Sequence, residues 1–263
     1  MIKKRIIFAL LYQDGYFYLS RNFKLQKVGN LKWLINNFGF GKTSNHIDEL
    51  ICLLVKKNPT QEDKEVFFQD INELRKKIFI PVTLGGGIRN FKDISNYFEN
   101  GADKILLNTA LYEENLSKEI AQIYGEQSIS LMIDYQSNEN NIDKIFINCG
   151  LEYKMVLSEF FIKMKNIKFG EIIFNSIEND GTGNGLDLRI LRKIPEDWKK
   201  KPILLMGGAG KPEHIAEGLK NDDVSGIITA NLFNFLGKGL EESRNMSIKQ
   251  KIKLANFSSE LIL

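Results

Sequence analysis

Cysteine and histidine are scarce in this sequence, which limits the chemistry that it can carry. Its 263 residues contain only two cysteines, Cys52 and Cys149, and two histidines, His46 and His214. So few residues at these spacings form neither a disulfide framework nor a set of zinc ligands. We therefore expect no metal and no other cofactor, and we expect both cysteines to be buried in strands of a cytoplasmic protein.

The sequence also lacks a surplus of one charge and a long apolar run. Its formal net charge is +3, and its lysines form no basic stripe of the kind that binds nucleic acids. No run approaches the ~18 apolar residues that span a membrane, and the polar residues 13–15 interrupt the apolar N-terminus. We therefore expect no nucleic-acid partner, no membrane association and no signal peptide.

A Gly-Lys-Thr sequence at residues 41–43 resembles the end of a nucleotide-binding P-loop. That motif requires a glycine five positions earlier, where this chain has Asn36, and it follows a strong strand, which is missing here. We therefore expect no nucleotide at this segment.

Eight short apolar runs alternate with amphipathic segments along the chain. Their richness in Ile, Leu, Val and Phe is typical of strands buried on both faces. The predicted strands are residues 4–11, 49–55, 78–84, 103–108, 129–134, 169–175, 202–206 and 225–230; the predicted helices are 61–77, 91–99, 112–124, 151–165, 187–195 and 211–220. A polar loop is predicted at 136–143, with a small hairpin near 144–149. The alternation predicts an α/β fold, a (β/α)8 TIM barrel that occupies residues 1–263 as one domain, with an open doubly wound sheet as the alternative.

Two glycine clusters occupy equivalent places in the two halves of the chain. Residues 82–89 and 204–210 each end an apolar run and precede a helical segment, and Gly87 and Gly208 are 121 positions apart. A strand, glycines and a helix start together favour a bound phosphate, because backbone N–H groups point at the anion. The pattern predicts a half-barrel repeat and a substrate with a phosphate at each end. In the alternative interpretation the glycines only permit tight packing of strand against helix.

Further motifs extend this pattern along almost the whole chain. They are Lys-Arg-Ile-Ile at 4–7, Asp14-Gly15, Asp48-Glu49-Leu50, Gly85-Gly86-Gly87-Ile88-Arg89, Gly101-Ala102-Asp103-Lys104, Asn108-Thr109-Ala110, Asp180-Gly181-Thr182, Gly207-Gly208-Ala209-Gly210-Lys211 and Phe233. In this order they resemble the cyclase subunit of imidazole glycerol phosphate synthase, the HisF family. The resemblance implies a barrel that binds a bis-phosphorylated ribosyl substrate and forms a heterodimer with a glutaminase docked beneath it, whose ammonia passes through the barrel.

The resemblance also implies roles for individual residues. The catalytic residues would be Asp134, Asp180 and Thr182. The two phosphate sites would be Gly87 with Asn108 and Thr109, and Gly181 with Gly208, Ala230 and Asn231. The ring that gates ammonia at the lower end of the barrel would be Arg5, Glu49, Lys104 and Glu171, although charges at this end can also serve stability alone.

Three positions depart from the family pattern. Leu11 replaces the principal catalytic aspartate, Leu19 replaces a lysine, and Leu54 replaces a second aspartate. Leucine cannot exchange a proton, so general acid–base catalysis at these positions is lost. We therefore expect a pocket adapted to a different substrate.

Three functions remain open on these grounds. The first is an enzyme subunit that uses ammonia to amidate a phosphorylated, surface-polysaccharide sugar, because the segments around Leu10-Leu11 and 23–29 resemble a glycosyl-amidation branch of the family. That branch implies a third, sugar-activating enzyme as a further partner. The second is an imidazole glycerol phosphate synthase of histidine synthesis, and the third is a non-catalytic ammonia conduit.

Overall fold

The computed structural model describes residues 3–40, 44–113, 115–231, 235 and 238–255. Phe233, one of the residues that carry the family resemblance, and the Gly-Lys-Thr segment at 41–43 lie outside the described residues. Within the described part, no helix is both long enough and apolar enough to cross a membrane.

Eight parallel strands close into a barrel. The described residues form twelve strands, of which eight build the barrel and four form two hairpins. They are β1 (Arg5–Gln13), β2 (Tyr16–Arg21), β3 (Lys24–Gly29), β4 (Glu49–Leu54), β5 (Val82–Gly85), β6 (Lys104–Leu107), β7 (Ile129–Ser137), β8 (Asp143–Ile147), β9 (Glu152–Val156), β10 (Glu171–Ser176), β11 (Ile203–Met206) and β12 (Val224–Thr229). The order β10-β11-β12-β1-β4-β5-β6-β7 is parallel throughout, and β7 pairs with β10 to complete the circle. The predicted (β/α)8 barrel is confirmed, and the open sheet is excluded.

A helix follows each of the eight barrel strands, in two cases after a hairpin. They are α1 (Leu31–Phe38), α2 (Gln61–Arg75), α3 (Phe91–Glu99), α4 (Leu116–Tyr124), α5 (Leu157–Lys163), α6 (Glu196–Lys199), α7 (Pro212–Lys220) and α8 (Gly239–Lys249). Local signals fix several starts: Thr60 and Asp63 form a reciprocal capping box at α2, and the Asn90 side chain caps α3. The connections after β6 and β10 also contain the 3-10 helices Thr109–Tyr112 and Leu188–Lys193, respectively.

An antiparallel hairpin is inserted after the first barrel strand of each half. β2 and β3 follow β1, and β8 and β9 follow β7. The two insertions occupy equivalent places, so the half-barrel repeat extends beyond the glycine clusters. Both hairpins lie at the carboxyl ends of the barrel strands, where they cover the upper opening.

Several predicted boundaries are corrected by the structure. The run 78–84 is a strand only from Val82, because Pro81 has no N–H to donate to a neighbouring strand. The first part of the predicted helix 151–165 is β9, and the predicted helix 187–195 is mostly the 3-10 helix noted above. The β2–β3 hairpin was not predicted, since its many polar and charged residues hide the alternation of an exposed strand pair.

The two cysteines differ in environment. Cys52 is fully buried on β4, as predicted. Cys149 is exposed in the turn between β8 and β9, with a φ of 61°, so its predicted burial in a strand is wrong. The turn Asn148-Cys149-Gly150 interrupts the apolar pattern there and carries the residue to the surface.

Two apolar layers enclose the barrel wall because successive strand residues point to opposite faces. The outer layer packs the strands against the helices and contains most of the large aromatic residues. The inner layer faces the inside of the barrel, which we call the bore, and consists of Ile7, Ala9, Leu11, Ile51, Leu53, Leu106, Met132, Ile173, Leu204, Met206 and Ile228. The polar residues of the candidate site lie above and below this inner layer.

Candidate active site

Three neighbouring strands show the same inward pattern, a polar residue at the lower end, an apolar residue in the bore and a polar residue at the upper end. Their inward residues follow every second position, as a strand requires. From lower to upper end they are Lys104, Leu106 and Asn108 for β6; Ser130, Met132 and Asp134 for β7; and Glu171, Ile173 and Asn175 for β10. We call the two polar layers the floor and the ceiling of the bore.

The floor is a closed ring of four charges. Arg5 contacts Glu49 at 2.9 Å and Glu171 at 2.7 Å, and Lys104 contacts each of the same two carboxylates at 2.8 Å. The hydroxyl of Ser130 also donates to Glu171. Although burial acts to raise the pKa of Glu171, the charges of Arg5 and Lys104 lower it to about 2. The structure therefore brings together all four residues of the predicted ring.

The ceiling contains one carboxyl group between two asparagine side chains. Asn175 Nδ2 donates to Asp134 Oδ1 at 2.8 Å, and Asn108 Nδ2 donates to Asp134 Oδ2 at 3.1 Å. Burial is the main cause that raises the pKa of Asp134 to about 7; the Asn175 hydrogen bond opposes the rise and the charge of Asp180 adds to it. Asp134 can therefore gain or lose a proton near neutral pH, as a general acid or base must.

Asn175 is a site residue that the sequence analysis missed. Its side chain is 4% exposed, and its Oδ1 atom accepts a hydrogen bond from no donor among the residues that the structure describes. The sequence does contain a signal for Asn175. Every second residue of β10 faces inward, so a strand in which Glu171 and Ile173 face inward also places residue 175 there, beside Asp134. From this strand, the family resemblance pointed only to Glu171.

Leu11 replaces a proton-transfer group at the ceiling with an apolar surface. Its side chain belongs to the inner layer and lines the same pocket as Asp134. Leu54 also lines this pocket but packs with the outer layer, and Leu19 lines a second pocket. The three leucines that differ from the family pattern thus have different surroundings, and of the three only Leu11 faces the bore.

Two adjoining pockets open above the ceiling. The first is lined by Gly87, Asn108 and Thr109 together with Asp134 and Asn175. The second is lined by the other predicted phosphate set, which is Gly181, Gly208, Ala230 and Asn231. Each predicted set is therefore brought together at one pocket. Ser20, Leu25, Asp180 and Met206 line both pockets and so form the wall between them.

The two glycine clusters adopt the same backbone geometry. Gly86 has a φ of 95° and packs on the carbonyl of Leu54, whereas Gly207 has a φ of 94° and packs on the carbonyl of Ser176. A Cβ at either position would collide with that neighbouring strand end. Tight packing thus requires these two glycines, as the alternative interpretation expected, and the same packing leaves their backbone at the pocket wall.

Two of the predicted catalytic residues are engaged elsewhere. The carboxylate of Asp180 accepts hydrogen bonds from the Ser20 hydroxyl and, at 3.0 Å, from the Phe23 backbone N–H, so it anchors the β2–β3 hairpin. Burial raises the pKa of Asp180. The Thr182 hydroxyl donates to Asn179 within its own loop, and Thr182 lines neither pocket. Asp134 is therefore the predicted catalytic residue that the geometry places best for proton transfer.

Comparison with known proteins agrees with this architecture. The family model described as "Histidine biosynthesis protein" matches residues 43–238, well over half of the chain. The chain is a member of the HisF family. It is 43% identical to the "Putative imidazole glycerol phosphate synthase subunit hisF2" of Parasynechococcus marenigrum, with 94% of this chain and 91% of that protein covered.

Two further members of the HisF family show a lower identity. The chain is 31% identical to the imidazole glycerol phosphate synthase subunit HisF of Clostridium botulinum strain Alaska E43, with 97% of this chain and 99% of that protein covered. It is 30% identical to the subunit HisF of Methanocaldococcus jannaschii, with 92% and 94% covered. The higher identity is to the relative named hisF2, so the chain is more similar to that protein than to these two.

Proposed function

We propose that this member of the HisF family is the ammonia-using synthase subunit of a glutamine-dependent enzyme, and that it acts on a phosphorylated substrate. One observation carries the proposal: a buried carboxyl group, Asp134, lies above an apolar bore and lines the first of two glycine-lined pockets. A carboxyl group in that position can handle the proton that a nitrogen nucleophile loses when it attacks a bound substrate.

The bore suits a small neutral nucleophile. Among the described residues, the side chains between the floor and the ceiling are apolar, so they form no hydrogen bonds that would hold a charged molecule. The floor ring has a balanced charge, two cations and two anions, and the ion pairs must separate before a molecule can pass between them. These features support the roles of Arg5, Glu49, Lys104 and Glu171 as a gate for ammonia.

The two pockets support a substrate with phosphate groups. The loops above the first pocket contribute Lys57 and Arg89, which can pair with a phosphate near Gly87 and Thr109. The second pocket contributes backbone from Gly181 and Gly208. A substrate that fills both pockets has to span the wall formed around Asp180, so we assign Asp180 the role of holding the β2–β3 hairpin over the bound substrate.

The lower end of the barrel supports docking of a glutaminase. Phe79, just before β5, is 87% exposed, and Ile123, Ile162 and Ile248 are exposed next to the final residues of α4, α5 and α8. Because barrel helices run opposite to the strands, these helix ends lie at the floor side. Large apolar residues exposed at one end of a molecule are typical of an interface, and this end contains the entrance to the bore.

The proposed acceptor is a phosphorylated, sugar-type molecule that is amidated. The observation in favour is Leu11: cyclisation of the histidine-pathway substrate requires several proton transfers, and the ceiling retains one group for them. A second candidate is the imidazole glycerol phosphate synthase reaction itself, which the names of the relatives favour.

Turnover with ammonium chloride in place of the glutaminase tests the proposal. The purified chain is mixed with the histidine-pathway substrate or with phosphorylated sugars and their nucleotide-activated forms, and product formation is followed by mass spectrometry. We expect nitrogen incorporation into a sugar and cyclisation slower than ~1 s⁻¹, the low end of ordinary enzyme turnover. Faster cyclisation would establish the second candidate. Failure of every compound to bind or react would contradict the proposal and leave the conduit hypothesis.

A further inference from the structure

We propose that Thr83 and Ser130 are positioning residues of the floor ring, whose hydroxyl groups hold the two ring carboxylates in place while the Lys104 ammonium group moves aside. This inference deepens the proposed function and rests on it, because it concerns how the ring opens for ammonia. Two hydrogen bonds carry it. Thr83 Oγ1 donates to Glu49 Oε1 at 2.6 Å. Ser130 Oγ donates to Glu171 Oε1 at 2.5 Å.

The two hydroxyl groups occupy equivalent places around the lower end of the barrel. The six successive strands β1, β4, β5, β6, β7 and β10 contribute, in that order, Arg5, Glu49, Thr83, Lys104, Ser130 and Glu171. Each hydroxyl residue therefore lies on the strand between Lys104 and one of the carboxylates. Both hydroxyl residues are buried, so their hydrogen bonds to the carboxylates are sheltered from water.

The Lys104 ammonium group can leave the ring without removing the last donor from any carboxylate oxygen. Its Nζ atom lies 2.9 and 2.8 Å from the two oxygens of Glu49 and 2.8 Å from Glu171 Oε1. Both Oε1 atoms also accept a hydrogen bond from a hydroxyl group, and both Oε2 atoms accept one from Arg5. All four oxygens therefore keep a partner when Lys104 moves.

Displacement of Arg5 would have a different result. Arg5 Nη2 donates to Glu171 Oε2, and no other group among the described residues donates to that oxygen. Since a buried acceptor without a donor is costly, the hydrogen bonds favour opening at Lys104 over opening at Arg5. The hydroxyl groups produce this asymmetry, because they donate only to the Oε1 atoms.

Unfolding equilibria test this role without any substrate or partner. Thr83→Val and Ser130→Ala together remove both hydroxyl groups and nearly preserve the packed volume; we call this double variant the hydroxyl-free chain. Lys104→Met then removes the ammonium group from either background. We expect it to lower the folding equilibrium constant at least about 10-fold more in the hydroxyl-free chain than in the unmodified chain, because both Oε1 atoms then lose every donor.

Two further variants provide matched controls. Arg5→Met removes the donor to the Oε2 atoms, which accept no hydroxyl hydrogen bond, so its effect should agree within about twofold in the two backgrounds. The combination of Thr83→Ser with Ser130→Thr, which we call the conservative chain, keeps both hydroxyl groups. In the conservative chain, Lys104→Met should have the same effect as in the unmodified chain.

Turnover provides a measure of the gate itself. In the complex with its glutaminase, the hydroxyl-free chain should show a roughly 5- to 100-fold lower ratio of glutamine-dependent to ammonium-dependent turnover, since opening then leaves carboxylate oxygens unpaired. The conservative chain should keep the ratio of the unmodified chain. Equal losses in the hydroxyl-free and conservative chains would overturn the inference, because packing and not the hydroxyl groups would then be responsible.

An equal effect of Lys104→Met in the unmodified and hydroxyl-free chains would also overturn the inference. If the hydroxyl-free chain does not fold, Ser130→Ala alone replaces it, and ¹³C NMR follows the Glu171 carboxyl group. The pKa of Glu171 should rise, because a hydrogen bond to its charged form is lost, and an unchanged pKa would contradict the assigned role. If the unfolding results are as expected while no substrate is aminated, the positioning of the carboxylates stands and the proposed function fails.

Discussion

The floor and the ceiling of the bore handle buried charge in opposite ways. At the floor, two carboxylates are matched by two cations, and the pKa of Glu171 is lowered to about 2. At the ceiling, Asp134 has only neutral amide partners, and its pKa is raised to about 7. Both ends contain a buried carboxyl group. The carboxyl group of Glu171 stays charged at the floor, whereas that of Asp134 can exchange a proton at the ceiling.

In the proposed function, this difference assigns ammonia transport to the floor and proton transfer to the ceiling of one barrel. A buried carboxylate that is paired with cations is a poor proton acceptor, and removal of its partner destabilises the fold. A buried carboxyl group without a cation partner has a raised pKa, which suits it to act as an acid or base. The inner layer separates the two ends with side chains that carry no charge.

Replacement of the ceiling carboxyl group is expected to have the largest effect. Asp134→Asn preserves the shape and can still hydrogen-bond, but it cannot take up a proton. We expect ammonia-dependent turnover to fall by about 10²–10⁴-fold, the usual contribution of a general acid or base. Steady-state rates with saturating ammonium chloride measure the loss. A decrease of less than threefold in a folded variant would remove Asp134 from the chemistry.

Disruption of the floor ring is expected to lower the stability of the fold and to uncouple glutamine hydrolysis from product formation. Turnover with added ammonium should persist. Lys104→Ala leaves Glu49 and Glu171 facing each other with only Arg5 between them. Breaking a buried pair typically costs about 3–5 kcal/mol, and glutamine-dependent turnover should fall while ammonium-dependent turnover persists.

The exposed pair Lys76–Glu73 provides a matched control for this variant. Lys76→Ala should change the free energy of unfolding by less than about 1 kcal/mol, as exposed pairs usually do. Denaturant unfolding and parallel assays with glutamine and ammonium give both readouts. Unchanged glutamine coupling in Lys104→Ala would mean that the ring is structural and does not gate ammonia.

The raised pKa of Asp134 also predicts how the stability of the fold depends on pH. The pKa of Asp134 is higher in the folded state, about 7, than the value of 3.8 expected without burial. The folded state therefore binds the proton more tightly, so this group's contribution to stability is present at low pH and is lost as pH rises from about 4 to 7.

Comparison of the unmodified chain with Asp134→Asn isolates this contribution. The difference in unfolding free energy between the two proteins should shift in favour of Asp134→Asn across that pH range, by up to about 4 kcal/mol from the usual conversion of 1.36 kcal/mol per pKa unit. Urea denaturation at pH 4.5, 6 and 8 measures the shift. A difference that is constant with pH would mean that burial does not perturb this carboxyl group.

Replacement of Leu11 by the aspartate that is typical of the family is expected to have the smallest effect on activity. Leu11→Asp adds an acid opposite Asp134, but Leu19 and Leu54 remain and lie in other settings. We expect cyclisation of the histidine-pathway substrate to stay below ~1 s⁻¹. A large gain from this single change would show that the rest of the pocket is already suited to that substrate.

Much of the fold was predictable because periodicity and glycine placement determine it. The eight apolar runs became the eight barrel strands, and the paired clusters at Gly86 and Gly207 became two equivalent strand ends. The hairpin β2–β3 was not predictable in the same way. Its charged, exposed residues are held by tertiary contacts such as Ser20 with Asp180, and such contacts leave no local pattern.

Most residues of the candidate site could be predicted from the sequence, but what each of them does could not. The family resemblance implied the floor ring and the ceiling residue Asp134, and the structure places them at opposite ends of one bore. Motifs could not show that Thr182 bonds within its own loop or that Asp180 anchors a hairpin. Nor could they identify Asn175, because its importance depends on a neighbour 41 positions away.

The most direct measurement is a ¹³C NMR titration of the Asp134 side-chain carboxyl group, assigned by comparison with Asp134→Asn. The account predicts that this group titrates near pH 7, well above an ordinary aspartate, because it is buried and its partners are neutral. A titration below pH 5 would show a carboxylate that stays charged like those of the floor ring, and it would contradict the distinction between floor and ceiling.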